Sequence, residues 1–289
     1  MAPAEENAVP KRPPPRLAVY LARDAPIGVI LSRGPTKWTR MILWHTHSDK
    51  LELGQWIKGV PDVDRCDISP LGRLFVYFMK SHKAPSVVIG YSDSWTAVSR
   101  PPYWTALALW PLGHTWFGGG RFVDNRTLAL NQSGTHHPDH PPGPLRVVDA
   151  EANAFEGGLL PQLSERNGWR TRESAKFGSF QYPDHAEKPC RRGEKLLSAC
   201  GLARRQIELA RLPVVYEATD IKSGAELLTF EAEWAEWDQH NRLVYAAEGS
   251  LWHAELRPPK EPVIYKIADF RDQTPEPTES PNWARKWPI

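Results

Sequence analysis

The stretch RLFVY at residues 73–77 decides the fold, because the chain repeats it. The near-copies are RLAVY at residues 16–20 and RLVY at residues 242–245. In the first of these, Leu17 and Val19 would lie on one face of an extended strand and the residues between them on the other. Such alternation with a period of two is the pattern of a β-strand. The recurrence therefore predicts several strands of one kind along the chain.

Tight turns precede two of the copies. The cluster SPLG stands before Arg73 and DQHN before Arg242, and each ends in Gly or Asn, which tolerate a positive φ. A weaker copy of the same arrangement is DNRTLAL at residues 124–130. A turn, an arginine and an apolar strand thus form a repeated unit.

A second repeated pattern, W-T-x-x-x-L-W, follows the first. It stands at residues 38–44 and 104–110, and Leu251-Trp252 is its shortened form near the third copy. There Glu248-Gly249 is typical of a two-residue hairpin turn. The distance between the two patterns varies, so we expect a common strand framework with loops of different lengths.

Two segments resemble known repeats. CDISPLGRLFVYF at residues 66–78 is similar to the D-x-S-P-D-G-R-x-L-x-Y blade signature of TolB-like and WD40-like β-propellers, with Leu71 where the signature has Asp or Asn. EWAEWDQHNRLVYAAEGSLWHAEL at residues 233–256 resembles a second blade, with DQHN in place of S-P-D-G. The resemblance implies a scaffold that packs sheets face to face and leaves its loops free for binding.

The fold class that we predict is mainly β, with repeated antiparallel meanders that are β-propeller-like or form packed β-sheets, and at most one or two helices. The helix candidate is residues 193–211, where Leu196, Cys200 and Ala203 recur at helical spacing. The same residues are also compatible with two short strands around Gly201.

Composition divides the chain into five parts. Residues 1–15 are rich in Pro and charge and are predicted to be a disordered tail. Residues 16–131 form a first β-meander half, residues 132–144 a His/Pro-rich loop, and residues 145–270 a second β-rich half. Residues 271–289 are a C-terminal tail, in which Trp283 and Trp287 are candidate anchors on the body of the protein.

Charge and hydropathy argue against several classes of protein. The chain has 36 Lys and Arg against 34 Asp and Glu, which argues against a dedicated nucleic-acid binder. No secretory signal and no apolar run of about 18 residues is present, so a cytoplasmic protein with no membrane segment is expected. Cys66, Cys190 and Cys200 form no CxxC pair, and free thiols in a reducing compartment are the simpler interpretation.

The candidate metal ligands are His136, His137 and His140. Three imidazoles within five residues can bind zinc or nickel. The competing interpretation is a solvated surface loop, since its prolines prevent the helix that would align a His pair. The alternative function that follows is a metal-dependent hydrolase using this loop. The sequence has no G-x-S-x-G, H-E-x-x-H or Walker A motif.

The candidate partner-binding residues are Tyr103 and Trp116, because each lies beside a Pro-rich or Gly-rich turn that can hold an aromatic side chain exposed. The glycines of FGGGRF at residues 117–122 are interpreted as a turn between strands. No nucleophile, base and orienting residue converge in the sequence. We therefore interpret the chain as a non-catalytic interaction module that needs no cofactor and binds a protein or small ligand through its loops.

Overall fold

The computed structural model describes residues 13–34, 37–80, 94–131, 134–150, 165–177, 180–203 and 213–288. These residues form five β-sheets, and the prediction of a mainly β fold built from antiparallel meanders is confirmed. The five sheets fit a propeller-like or sheet-packed architecture. Of the tail predicted to be disordered, residues 1–12 lie outside the described residues.

Sheets 1 and 2 come from the first part of the chain. Sheet 1 is a meander of four strands: β1 (Arg16–Leu21), β2 (Ile27–Arg33), β3 (Trp38–His45) and β4 (Lys50–Lys58). Sheet 2 has five strands: β5 (Val60–Pro61), β6 (Asp67–Ile68), β7 (Phe75–Lys80), β8 (Ser94–Ser99) and β9 (Ala106–Pro111). Both β5 and β6 pair with β7, so sheet 2 is centred on the strand that contains RLFVY.

The other three sheets follow in chain order. Sheet 3 consists of β10 (Gly120–Phe122), β11 (Thr127–Leu130) and β12 (Arg146–Asp149), and β12 runs parallel to β11. Sheet 4 consists of β13 (Arg170–Phe177), β14 (Phe180–Pro189), β15 (Lys195–Cys200), β16 (Val214–Asp220) and β17 (Glu226–Ala232). Sheet 5 consists of β18 (Trp234–Trp237), β19 (Leu243–Ala247), β20 (Ser250–Glu255) and β21 (Val263–Asp269).

Helical structure is minor. Short 3-10 helices span Val63–Arg65, Glu165–Asn167 and Asn282–Arg285. Across the described ranges, no helix has the length and apolar character that crossing a membrane requires.

The predicted turns are confirmed. Gly72 and Asn241 have φ values of 73° and 61°, the positive range expected before the repeated arginines. Glu248 and Gly249 have φ values of 50° and 74° and join β19 to β20, so they form the expected two-residue hairpin. Positive φ at both central residues matches the right-handed twist of the strands on either side.

Apolar side chains pack the sheets against one another in the order 3, 2, 1, 5, 4. In β7, Phe75 and Tyr77 face sheet 1, whereas Val76 faces sheet 3. In β1, Leu17 and Val19 face sheet 5 and Tyr20 faces sheet 2, as the alternation of RLAVY predicts. Both faces of these strands are therefore buried, and the first sheet of the chain lies against the last.

Arg242, the arginine of the third copy, joins sheet 5 to sheet 1. Its guanidinium donates to Asp238 at 2.7 Å and to both carboxylate oxygens of Asp49, which lies in the turn between β3 and β4, at 2.8 and 2.9 Å. It also donates to the Thr46 carbonyl oxygen at 2.6 Å. Charge-assisted bidentate contacts of this kind are among the stronger hydrogen bonds in proteins.

For residues 193–211 the sequence offers a helix or two short strands around Gly201, and the structure has a strand before Gly201, so the helix is wrong over its first part. β15 occupies Lys195–Cys200 and pairs with β14 and β16, and its buried Leu197 and Ala199 follow a period of two. The chain turns at Gly201, whose φ is 76°. Leu202 and Ala203 have helical backbone, and residues 204–212 lie outside the described residues. Tertiary pairing on both edges of β15 overrides the helical spacing.

The C-terminal tail lies on sheets 2 and 3. Trp287 packs against the apolar cluster between these sheets, and Trp283 packs on Tyr103 and Arg100. Arg100 fixes the segment further by donating to the carbonyl oxygens of Trp283 and Lys286 at 2.8 and 3.2 Å. Both tryptophans therefore act as anchors of the tail.

Candidate functional site

The most exposed large apolar side chain of the described residues is that of Trp116, in the loop between β9 and β10. Its exposed fraction is 81%, and that of the adjacent Phe117 is 49%. Monomeric proteins expose single apolar side chains often, but two adjacent aromatics on one loop are less usual. We call residues 112–119 the Trp116 loop.

Arg65 fixes the backbone of the Trp116 loop. Its guanidinium donates to the carbonyl oxygens of three successive residues, Thr115, Trp116 and Phe117, at 3.1, 3.1 and 2.9 Å. The same guanidinium lies 5.2 Å from the centre of the Phe78 ring. One side chain therefore contacts three backbone carbonyl oxygens of the loop, although the aromatic side chains of the loop face solvent.

The glycines after Phe117 let the loop approach sheet 2. A Cβ atom at Gly118 would lie 2.4 Å from the Phe78 ring, and one at Gly119 would lie 2.4 Å from the Arg65 carbonyl oxygen. Both glycines have positive φ, 110° and 83°. FGGG is thus a structural turn, as the sequence indicates.

Tyr103, the second candidate binding residue, is placed differently from Trp116. It precedes β9 whereas Trp116 follows it, so the two lie toward opposite ends of that strand. The Tyr103 ring is half-buried against Trp283, with 5.3 Å between the ring centres. The structure therefore does not bring the two candidates into one patch.

The histidine loop lies along the edge of sheet 2. The His137 backbone N–H donates to the Leu109 carbonyl oxygen at 2.8 Å, and the Leu109 backbone N–H donates to the His140 carbonyl oxygen at 3.1 Å. His137 is buried, His136 is exposed, and the rings of His137 and His140 are 5.5 Å apart. Within the described ranges, no three His, Cys, Asp or Glu side chains are grouped to hold a metal ion.

All three cysteines fall within the described residues and are free. Cys66 and Cys190 are buried, and burial raises the pKa of the Cys66 thiol far above its ordinary value. Partial burial also raises the pKa of Cys200, the last residue of β15, as do the charges of Glu217 and Asp184. At neutral pH these environments disfavour the thiolate form of Cys66 and Cys200.

A cavity of about 980 Å³ lies where sheets 1, 2, 4 and 5 meet. It is lined by the end of β1, by β6, by residues 165–172, by the end of β14 and by β18. Its basic side chains outnumber its acidic ones: Arg23, Arg166, Arg170, Arg172, Lys188 and Arg191 against Asp67, Glu165 and Glu236. We call it the central cavity.

Two of the carboxylates in the central cavity are held by hydrogen bonds. Asp67 accepts from Arg166 at 2.6 Å and from the Phe122 backbone N–H at 2.7 Å. Glu236 accepts from Lys188 at 2.9 Å and from the Trp169 indole at 2.9 Å. Each of these acids thus neutralises one cation, and the lining keeps a net positive charge.

Sequence reasoning does not find the central cavity. Asp67 is the first residue of the blade signature, but its carboxylate is directed at Arg166, which is 99 positions away in the chain. No motif links these residues to Arg23. The only local signal is that Arg23 follows the apolar strand β1, where polar residues are ordinary.

No family model matches this sequence, and no curated protein matches it. Solved structures with partial likeness include a chain of a mitotic checkpoint complex, which is 13% identical with a TM-score of 0.26, over 88% of this chain and 69% of that one. Prolyl oligopeptidase B from Galerina marginata bound to a 35mer hydrolysis and macrocyclization substrate is 12% identical with a TM-score of 0.26, over 89% and 37%. A prolyl endopeptidase is 12% identical with a TM-score of 0.24, over 89% and 36%.

The present chain spans little more than a third of the length of the two peptidases. The low identities and TM-scores transfer neither an activity nor a partner.

Proposed function

We propose that this chain is a TolB-like or WD40-like propeller protein that acts as a non-catalytic interaction module and binds a protein partner through the Trp116 loop. The observation that carries the proposal is the combination of exposure and order at Trp116: an indole in solvent on a backbone held by three hydrogen bonds from Arg65. The partner would offer an apolar pocket to this projecting side chain.

Tryptophan is among the residues that contribute most to protein interfaces, since it buries a large apolar area and also carries an N–H donor. Binding costs less conformational entropy when the contact residues are already ordered. The contacts of Arg65 and the close approach of Gly118 to Phe78 supply that order before any partner arrives.

Replacing Trp116 with alanine is expected to weaken binding of the partner by at least about 30-fold, the effect of losing an interface residue worth 2 kcal/mol or more. Because the side chain is exposed, the fold should be retained. A pull-down from native lysate identifies proteins retained by the wild type and lost by the variant. The affinity of the purified partner for both forms is then measured by titration calorimetry.

Val123→Ala is the matched control, since Val123 is another exposed apolar residue, with an exposed fraction of 57% just after β10. It should bind the partner as the wild type does. If Trp116→Ala retains every specific partner, the Trp116 loop is not the binding site.

Tyr103 is tested separately, because its ring also supports Trp283. A role in binding requires that Tyr103→Ala weakens the complex and that Trp283→Ala does not. Equal losses in the two variants would mean that Tyr103 acts by anchoring the C-terminal tail.

The alternative of a metal-dependent hydrolase makes its own prediction. Protein purified without a histidine tag would contain stoichiometric zinc or nickel, and changing His136, His137 and His140 together to alanine would remove it. Under the proposed function, the metal content measured by mass spectrometry is the same in both proteins.

A further inference from the structure

A second cavity, of about 630 Å³, lies between sheets 2 and 3 beside the end of the C-terminal tail. Its walls come from the turn before β7, the turn before β11, the segment before β12 and the tail itself. Much of the lining is apolar and includes Leu71, Leu74, Leu145 and Trp287. Among the described residues, the charged part of the lining consists of Arg73 and Arg126, without Asp or Glu. We call this cavity the tail pocket.

Contacts between neighbouring segments form the walls of the tail pocket. The Leu71 backbone N–H donates to Asn125 Oδ1 at 2.9 Å, which joins the turn before β7 to the turn before β11. The Arg146 backbone N–H donates to the Arg126 carbonyl oxygen at 2.8 Å, which joins that turn to the start of β12. A Cβ atom at Gly143 would lie 2.3 Å from Trp287 Nε1, so the tail packs closely on the segment before β12. All four walls are therefore in contact without a ligand.

Arg126 is the arginine of the repeated unit of turn, arginine and strand in sheet 3. In the copy in sheet 5, the arginine binds two carboxylates, those of Asp238 and Asp49. In sheet 3, Asp124 accepts instead from the backbone N–H groups of Arg126 and Thr127, at 2.7 and 2.8 Å. Within the described part of the chain, no hydrogen bond or ion pair occupies the Arg126 guanidinium. Its donors are therefore available to an anion in the tail pocket.

We propose that the tail pocket binds a small apolar molecule that carries one carboxylate, with Arg126 as the partner of the carboxylate. The apolar part of the ligand would contact Leu71, Leu74 and Leu145. A guanidinium can donate to both oxygens of a carboxylate. A phosphate monoester would bring a second charge, which costs more to bury against an apolar lining. The volume of the tail pocket and its apolar lining with few polar groups are typical of small-molecule sites.

The test is an NMR titration of octanoate with the full chain at low ionic strength, with octanamide as a neutral reference of nearly the same shape. Saturable binding of octanoate is expected, at least about tenfold tighter than that of octanamide, which is the effect of a hydrogen bond to a charged group. Arg126→Gln should weaken octanoate binding about tenfold and leave octanamide binding unchanged. Leu71→Ala should weaken both ligands severalfold, because it removes apolar contact that they share.

Arg257→Gln is the control for charge, since it removes an equal charge from an exposed position between β20 and β21. It should bind octanoate as the wild type does. Equal losses in Arg126→Gln and Arg257→Gln would contradict the proposal, because they would indicate general charge attraction.

The proposal is also wrong if octanoate does not bind saturably, if octanamide binds as tightly, or if Arg126→Gln still prefers octanoate. If thermal denaturation shows that Arg126→Gln does not fold, Leu71→Ala decides, and unchanged binding of both ligands by that variant overturns the proposal. Trp116→Ala should bind octanoate normally, so this result is independent of the Trp116 loop.

Discussion

Replacing Arg242 with methionine is expected to lower the free energy of unfolding by about 3 kcal/mol or more, the effect of breaking a buried ion pair from one side. The side chain of Asp238 is fully buried, and Arg242 is its cationic partner. Asp49 and the Thr46 carbonyl oxygen would lose the same donor. Methionine keeps most of the apolar volume of the arginine side chain. The decrease in the free energy of unfolding therefore measures the polar contacts that Arg242 makes between sheets 5 and 1.

Urea denaturation followed by circular dichroism measures the effect. Arg172→Met is the matched control, because Arg172 is about half exposed and its pair with Glu187 lies near the surface. Exposed ion pairs contribute less than about 1 kcal/mol, so this variant should unfold near the wild-type midpoint. Similar midpoints for the two variants would show that the Arg242 contacts do not stabilise the fold.

The same contacts make stability depend on pH. Burial raises the pKa of Asp49, but the hydrogen bonds and charge of Arg242 outweigh it, and the pKa lies below its ordinary value. A carboxyl group with a lowered folded pKa stabilises the protein above its unfolded pKa, near 4, and that contribution is lost as pH falls through the folded value. The free energy of unfolding should therefore fall less steeply as the pH is lowered below about 4 in Arg242→Met than in the wild type. Denaturation measured at a series of acidic pH values tests this.

Replacing Phe75 with alanine is expected to cost about 3 to 5 kcal/mol, the range for large-to-small changes at buried aromatic positions. Phe75 lies in β7 with no exposed surface and fills the space between sheets 1 and 2. Its ring meets Tyr20 of sheet 1 edge-on, with 5.1 Å between the ring centres, and it stacks near Tyr77. Removal of the ring would leave a cavity at this interface.

Leu71→Ala is the control, because Leu71 belongs to the turn just before β7 and has an exposed fraction of 38%. Its truncation should change the free energy of unfolding by less than about 0.5 kcal/mol. A loss below about 1 kcal/mol for Phe75→Ala would show that β7 is not at the centre of the packing.

Strands and turns are the part of this fold that the sequence predicts. Alternation along the strand predicts that Leu17 and Val19 lie on the same face. The tolerance of Gly and Asn for positive φ predicts the turns at Gly72 and Asn241. Both predictions depend only on residues that are close in the chain. At Lys195–Cys200 the sequence leaves a helix and a strand both open, because Leu196, Cys200 and Ala203 also fit a helical period by spacing. Pairing with β14 and β16 decides the structure there, and single-sequence spacing does not contain it.

The candidate sites also differ in how far local sequence predicts them. The exposure of Trp116 is predicted from the glycine turn beside it, which is a local signal. The hydrogen bond from Arg65 to the Trp116 carbonyl oxygen is not predicted, because it joins residues 51 positions apart. The central cavity depends on four sheets, and Arg23 and Arg166 meet at Phe122 from positions far apart in the chain. Only the packing order of the sheets brings those charges together.

The packing of sheet 1 against sheet 5 affects how the protein is made. Ile42 and Trp44 of sheet 1 are buried in one apolar cluster with Val244 and Leu251 of sheet 5. The ribosome completes sheet 1 long before sheet 5, and at 5 to 20 residues per second the intervening segment takes roughly 10 to 40 s to synthesise. During that time the apolar face of sheet 1 lacks its native cover, and transiently exposed apolar surface of this kind is prone to aggregation.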